Sequence, residues 1–313
     1  MKNKIANFWN KCKWWLLGII FLYPFYLLPL GKIWCIDELY TFGLPLKDFM
    51  PVWIALGGII GVVTNIILTQ QRMTEQQRQF KTQIKKQNKQ IKIQQKQMRD
   101  NRFASGVKLL GNSNESTRIG GAYNLYFLAR DFEEYRESAC EILCAHVRTK
   151  TGEEDYPEKY KDKPSNEIQT IINLLFKEEY KLIFKECEKN LKGTFLNGVS
   201  FFRAKLNRAR FNHATFCDVD FRFAKLSYVD FNWATLIDVD FESFAELSNV
   251  NFWVATLDKV NFRSTIFNVV DFWDTTFQTE IDFTGTKLEG LTTDEIKCRG
   301  FSRKLTGNQE NYK

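Results

Sequence analysis

The stretch "ATLIDVDFESFAELSNVNFWVATLDKVNF", residues 234–262, places large apolar side chains at Leu236, Phe241, Leu247, Phe252, Leu257 and Phe262. They fall five apart, except for one six-residue step between Phe241 and Leu247. Two places before each stands a small partner, Ala or Val, from Ala234 to Val260. In an α-helix a step of five turns about 500°, which would scatter these residues over every side. In a flat strand an odd step sends successive residues to opposite faces. The small partner two places earlier does share a face with its large neighbour, as in a strand. Both conditions are met by a short extended segment, a corner, and another short segment. Repeated, that unit winds into a coil whose turns stack and bury a column of Phe and Leu. This is a solenoid, with contacts only between neighbouring turns and ends that need caps.

The beat runs from Phe201 to Leu288, eighteen large residues in succession, with one-residue insertions after Phe241 and before Phe283. The residue two places earlier is Val, Ala, Thr or Ile throughout, from Val199 to Thr286. The residue immediately before is often acidic or an amide: Asp220, Asp230, Asp240, Asn251, Asn261, Asp271 and Asp282. This pattern, over residues 195–290, resembles the pentapeptide-repeat family, whose consensus is A(D/N)Lxx; the Phe/Leu series takes the central position. The resemblance implies a right-handed quadrilateral β-helix over residues 193–290, with four repeats per coil and about four and a half coils. On that count Thr215, Thr235, Thr256 and Thr276 stack in one ladder. Asp220, Asp240, Asn261 and Asp282 form a second, and Asp230, Asn251 and Asp271 a third. Trp233, Trp253 and Trp273 then share a further face at outward positions, with His213 one coil before. An exposed aromatic strip of this kind is expected to bind a partner. Docking of the chain's own helical region over it is the competing expectation.

Two earlier runs, about 14–31 and 49–68, contain no charged residue. Each is long enough to cross a hydrocarbon layer that takes about 20 residues. "KIWCIDE" follows the first and offers no small-residue cleavage site, so it is read as a retained anchor. Residues 1–68 are therefore expected to form a membrane hairpin of two transmembrane helices. The net charge of +7 is unevenly placed: residues 1–13 carry +4 and residues 69–102 carry +8, leaving −5 for the rest. Cations on both flanks put both termini in the cytoplasm, as a multi-pass protein of the bacterial cytoplasmic (inner) membrane. Gly57 and Gly61 have the GxxxG spacing that lets another membrane helix approach closely. No Asp, Glu, Lys or Arg lies inside either run, so an ion path has no support.

Residues 69–102 lack Pro and Gly and read as a basic, glutamine-rich helical stalk of about 50 Å. Ile66, Met73 and Phe80 recur every seven, and Ile84, Ile91 and Met98 form a second series offset by four. Gln70, Gln77, Gln87 and Gln94 fill the remaining seam places. A weak coiled coil joining copies of the chain and a single solvated helix both fit. Lysines next to the bilayer favour anionic headgroups, making the lipid bilayer a partner. Phe80 is the one aromatic here, too little stacking surface for nucleic acid, which is not an expected partner.

Residues 103–192 are expected to form an α-helical domain of four or five helices, with helical stretches over 102–150 and 165–190. Gly111 is placed as a helix C-cap and Asn112–Asn114 as caps for the next helix. Gly120 and Gly121, inside that next helix, point to close packing against a neighbour. Arg118 beside them is read as a salt-bridging or capping residue before an anion site. Residues 291–313 are a C-terminal cap and tail, Thr292 and Glu295 having capping-box spacing.

Nothing in the chain announces catalysis. It has two histidines, His146 and His213, and no GxGxxG, P-loop, GxSxG or HExxH. Seven scattered cysteines without a CxxC read as reduced thiols facing the cytosol. Cys140 and Cys144 share a helix face, but His146 points elsewhere and no fourth ligand completes a zinc site. No cofactor or metal is expected. The sequence is read as a membrane-tethered, non-enzymatic scaffold that presents a cytoplasmic β-helix to a cytoplasmic or membrane protein. One alternative is a membrane-disrupting effector of a bacterial phage-defence system. The other, by family analogy, is a DNA-mimic topoisomerase modulator. Residues 193–290 carry thirteen acids against nine bases, which makes a poor DNA mimic.

Overall fold

A computed structural model describes residues 50–289, apart from 162 and 280. The chain divides into two compact units, residues 1–90 and 91–313. The described part of the first unit is helical. Helix α1, Met50–Leu110, runs 61 residues, beginning in the first unit and ending in the second. Beyond Pro51 it contains no proline to break it. Thr64, Thr69, Thr74 and Thr82 turn their hydroxyls back to carbonyls four residues earlier, so they need no outside partner. From Ile54 this helix is long and apolar enough to cross a membrane, by length and composition. Ile54, Ile59, Val62 and Ile66 are exposed along it. A side chain at Gly58 or Gly61 would meet nothing within 4 Å. The first expected span, 14–31, and the expected cap, 291–313, lie outside the described residues.

In the second unit the end of α1 packs with α2 (Glu115–Asp131), α3 (Arg136–Thr151), a single turn α4 (Tyr156–Lys159) and α5 (Asn166–Phe176). Asn114 caps α2, its Oδ1 accepting from the Thr117 amide at 3.2 Å. A Cβ at Gly121 would lie 2.7 Å from the Leu110 nitrogen and 2.9 Å from the Gly106 carbonyl oxygen. Only glycine permits that crossing, as its place in the helix suggested; Gly120 has open space instead. Helical structure over 165–190 ends at Phe176, short of the expectation. The chain turns through Glu178–Tyr180 and left-handed Lys181 and Leu182 into the first strand, Lys189–Asn190. Tertiary packing overrides helix propensity there: Phe184 and Leu191 are fully buried, and Tyr180 packs against Tyr126 with ring centroids 5.5 Å apart.

The remainder is a parallel β-solenoid of about four turns. Thr215 pairs with Thr235, Thr235 with Thr256, and Thr256 with Thr276. Bridges link Asp220, Asp240, Asn261 and Asp282, and paired strands link Asp230, Asn251 and Asp271. These are the three expected ladders. Glu246 pairs with Ile266 twenty residues on but with Lys225 twenty-one residues back. The extra residue is taken up at one corner, where Ser243 and Phe244 both adopt positive φ, 67° and 62°. Register on either side is therefore preserved.

Alternate corners, those that follow a Phe preceded by Asp or Asn, repeat one device. The Asp or Asn before the central Phe accepts from the amide two residues on, as in Asp230 to Asn232 (3.0 Å) and Asn251 to Trp253 (2.8 Å). The Phe carbonyl then accepts from the amide three residues on, as in Ala234 to Phe231 at 2.9 Å. The residue between, two after the Phe, is left-handed: φ is 58° at Phe223, 59° at Trp233 and 54° at Val254. Where Thr replaces the small Ala, its buried hydroxyl bonds a carbonyl of the preceding coil, Thr275 to Phe252 at 2.8 Å.

Inside, two phenylalanine columns face each other. Phe201, Phe221, Phe241 and Phe262 stack at 4.7–5.0 Å with planes within 12°. Phe211, Phe231, Phe252 and Phe272 stack at 5.0–5.4 Å. Between columns the rings meet edge to face, Phe241 with Phe252 at 88°. Helix α5 closes the first coil. Phe176 meets Phe201 edge-on at 5.8 Å, and the Gln169 amide exchanges two hydrogen bonds with the Ser200 backbone.

Phe241→Ala removes a ring stacked on both sides, and an unfolding titration of the solubilised chain should show a loss of about 3–5 kcal/mol. Val269 is β-branched, exposed and left-handed (φ 55°). Val269→Asn should gain about 1 kcal/mol in the same titration by relieving that conformation.

Candidate interaction surface

The outward side chains at and beside the left-handed corners are placed by the corner geometry. Trp233, Trp253 and Trp273 are 52%, 41% and 67% exposed, on the same side of the coil. They stand in two neighbouring columns of that side and not in one. The insertion at Ser243–Phe244 shifts the frame by one residue. The Trp233 amide donates to the Trp253 carbonyl, and the Val254 amide to the Trp273 carbonyl, both at 3.0 Å. Val254, and not Trp253, is therefore the corner above Trp233. His213 and Trp233 form one column, their rings stacked at 6.0 Å and 14°. Trp253 and Trp273 stand in the neighbouring column, after Asn212 and Asn232 in the lower coils. The result is a two-column aromatic surface.

At its lower end Lys192, Arg210, Asn212, His213, Asn232 and Trp233 line an open groove of about 410 Å³. Asp230 stands between the coils here, accepting from Asn212 Nδ2 at 2.6 Å and Asn251 Nδ2 at 3.2 Å. Arg210 pairs with Glu188 at 2.9 Å, leaving the groove with both signs of charge along its rim. Other corners carry exposed Phe223, Tyr228 and Phe244, which sequence reasoning did not single out. Their signal was present, since each stands at the same phase of the repeat as His213 and Trp233, apart from the extra residue at Phe244. Arg203 lies over the Phe202 and Phe223 rings at 5.1 and 5.7 Å.

Away from this surface, the titratable clusters are structural. Arg118 Nε and Nη2 bind the buried Glu167 carboxylate at 2.7–2.9 Å, and Nη1 binds the Asn112 and Ser113 carbonyls. His146 Nε2 contacts the same carboxylate. Burial alone would push the Glu167 carboxyl up, but hydrogen bonds from His146 and Arg118 outweigh it and hold the pKa at about 2. The salt-bridging role expected of Arg118 is what the structure shows; its partner, 49 residues away, was not foreseen. Cys140, Cys144 and Lys189 are buried together where α3 meets the first strand. The hydrogen bond with Cys144 raises the Cys140 thiol pKa, and that with Cys140 raises Cys187, so both stay protonated and weakly nucleophilic. Among the described residues no group of His, Cys, Asp and Glu could hold a metal ion.

The repeat chemistry has a match among known families. The model for pentapeptide repeats matches in eight copies, covering residues 218–243. The matched stretch carries pentapeptide repeats, and the solenoid of about four turns fits a pentapeptide-repeat β-helix. No curated protein matches the chain at a significant level. Solved structures that it resembles include the pentapeptide-repeat protein Rfr23 from the cyanobacterium Cyanothece, at 19% identity and a TM-score of 0.17. That alignment covers 33% of this chain and 61% of Rfr23. HetL from the cyanobacterium Nostoc, involved in heterocyst differentiation regulation, aligns at 19% identity and a TM-score of 0.18, over 32% of this chain and 49% of HetL. QnrB1, a plasmid-mediated fluoroquinolone resistance protein, aligns at 15% identity and a TM-score of 0.14, over 34% of this chain and 77% of QnrB1. The chain thus spans about half to three-fifths of the first two. In this solenoid Asp and Asn before the central Phe accept from the corner amides, which accounts for that part of the repeat pattern.

The depressed Glu167 pKa gives a pH dependence with a definite sign. Its stabilisation is complete above the ordinary value of 4.5 and is lost as pH falls from there toward 2. Urea titrations stepped across that range should lose on the order of 3 kcal/mol. Glu167→Gln should be less stable at neutral pH and should flatten this acid limb.

Proposed function

We propose that this protein is a membrane-tethered, non-enzymatic interaction module, whose pentapeptide-repeat domain offers its tryptophan columns to a protein partner. The observation that carries the reading is the exposure of Trp233, Trp253 and Trp273 on one side of a backbone that is hydrogen-bonded coil to coil. Large aromatic rings exposed together cost solubility, and they are over-represented where binding energy concentrates. Because the corners are already ordered, a partner gains contact area with little entropy lost in arranging them.

The tether is the apolar part of α1 together with the run at 14–31, in a multi-pass arrangement of the bacterial inner membrane with both termini cytoplasmic. Exposed apolar side chains from Ile54 to Ile66 and the basic residues that follow support it. Gly57 and Gly61 are the places where the two spans would approach. The winding is taken as right-handed and four-sided, as the repeat family implies.

Two measurements test the reading. The chain should stay with the membrane fraction through an alkaline carbonate wash and leave it only in detergent; release without detergent removes the tether. Crosslinking and pull-down from solubilised membranes should recover a partner with the native chain. Recovery should fall at least tenfold when Trp233, Trp253 and Trp273 are all changed to Ala, and unchanged recovery removes the tryptophan surface.

A further inference from the structure

Among the described residues helix α1 presents a second surface without a neighbour, and its charge is sorted around the helix axis. Over residues 66–98 the two seam lines hold Met73, Phe80, Ile84, Ile91 and Met98, all exposed, with Phe80 at 64% and Met98 at 68%. The remaining seam places are mostly glutamine: Gln70, Gln77, Gln87 and Gln94. The positions flanking the seam are nearly free of charge. One flank is Gln76, Gln83, Gln90 and Gln97; the other includes Thr74, Asn88 and Gln95, with Lys81 its single cation. Arg78, Lys85, Lys86, Lys89, Lys92 and Lys96 all fall on the opposite half of the helix. Ile93 is the one large apolar residue of the stalk that lies off the seam.

From this we infer that the stalk seam is an interface between two copies of this chain, running parallel and in register. A helix meant only to be solvated, or to lie on headgroups, has no need to keep its cations off both flanks of an apolar line. A self-pairing helix of high positive charge does. With the seams together, the outer faces of the two helices lie about 20 Å apart, beyond a Debye length of roughly 8–10 Å, so most of the cation repulsion is screened. The ten basic residues of the stalk then cost little on assembly. Parallel, in-register pairing sets each isoleucine line against itself. β-branched Ile84 and Ile91 occupy the positions that favour two strands. Antiparallel pairing could also match apolar to apolar, Ile84 on Phe80, Ile91 on Met73 and Met98 on Ile66. Two chains held in one bilayer by the apolar start of α1 must run parallel, however, so the direction of pairing rests on the proposed tether. Half the seam is polar, so the association is weak, and glutamines stacked on glutamines specify register at the expense of affinity. The inference is independent of the tryptophan surface.

The test uses the full chain in detergent, with mass measured by light scattering. The parent should have twice the protein mass of one chain. Ile84→Gln with Ile91→Gln keeps good helix formers and should lower the dimer fraction at least tenfold at equal concentration. Lys85→Gln with Lys92→Gln, on the outer face, should leave it unchanged. Circular dichroism confirms that both variants retain helix. Register is read separately. Gln87→Cys should give an intermolecular disulfide on mild oxidation above the background of the parent chain, and Lys89→Cys should not. A monomeric parent, a seam variant as dimeric as the parent, or equal disulfide yields at 87 and 89 would each overturn the inference. The mass measurement stands even if the chain proves soluble without detergent, so its failure is distinct from failure of the tether.

Discussion

Phenylalanine stacking between successive coils is the constraint on which the second unit rests. Aromatic rings pack face to face with an offset at separations close to the spacing of hydrogen-bonded strands, about 4.8 Å. In this protein the two distances coincide, with ring centroids 4.7–5.0 Å apart along the Phe201 column and backbone bonds of 2.7–2.8 Å beside them, from Phe221 to Asp240 and from Phe241 to Asn261. Rings and ladder are commensurate, so neither is strained to satisfy the other. An α-helix or a twisted sheet would bring the rings out of step within a few repeats.

Because the interior needs only one large and one small residue in five, the other positions are free to vary. The corner nevertheless imposes a toll on some of them, since every corner residue is left-handed and many are bulky. Trp233, Phe223, Tyr228 and Val269 occupy a backbone conformation that asparagine or glycine would adopt with less strain. That these corners carry large apolar groups anyway is the physical ground for treating them as a working surface. The ends of the coil are handled differently. At the start, α5 covers the first ring with Phe176 and supplies the Ser200 backbone with the Gln169 amide. A solenoid whose first coil stayed open would expose both its phenylalanines and its unpaired strand edge.

Much of this was legible residue by residue. The Asp220, Asp230 and Thr215 ladders follow from counting repeats, because solenoid contacts are local and each coil obeys the same rule. Gly121 could be read as a close crossing since a glycine inside a helix otherwise only destabilises it. The tryptophans were harder. Their columns depend on the phase within the repeat and not on a count of twenty: Trp233 stands two places after Phe231, whereas Trp253 and Trp273 stand one place after Phe252 and Phe272, wherever in "FESFAEL" the extra residue is absorbed. Both Ser243 and Phe244 turn left-handed, so the repeat resumes intact.

What the amino-acid order determined by itself was the periodic part: a coil, its inward phenylalanines, its stacked aspartates, and an apolar helix running into a basic one. These depend on near neighbours and on the spacing of side chains, which a linear text records. Only the tertiary structure decided the pairing of Arg118 and His146 with Glu167, the burial of Lys189 against Cys140, and the end of helix at Phe176. Each of those depends on segments far apart in the chain meeting in an interior where an unpaired charge is too costly to leave, and no local pattern encodes which distant residue will meet it.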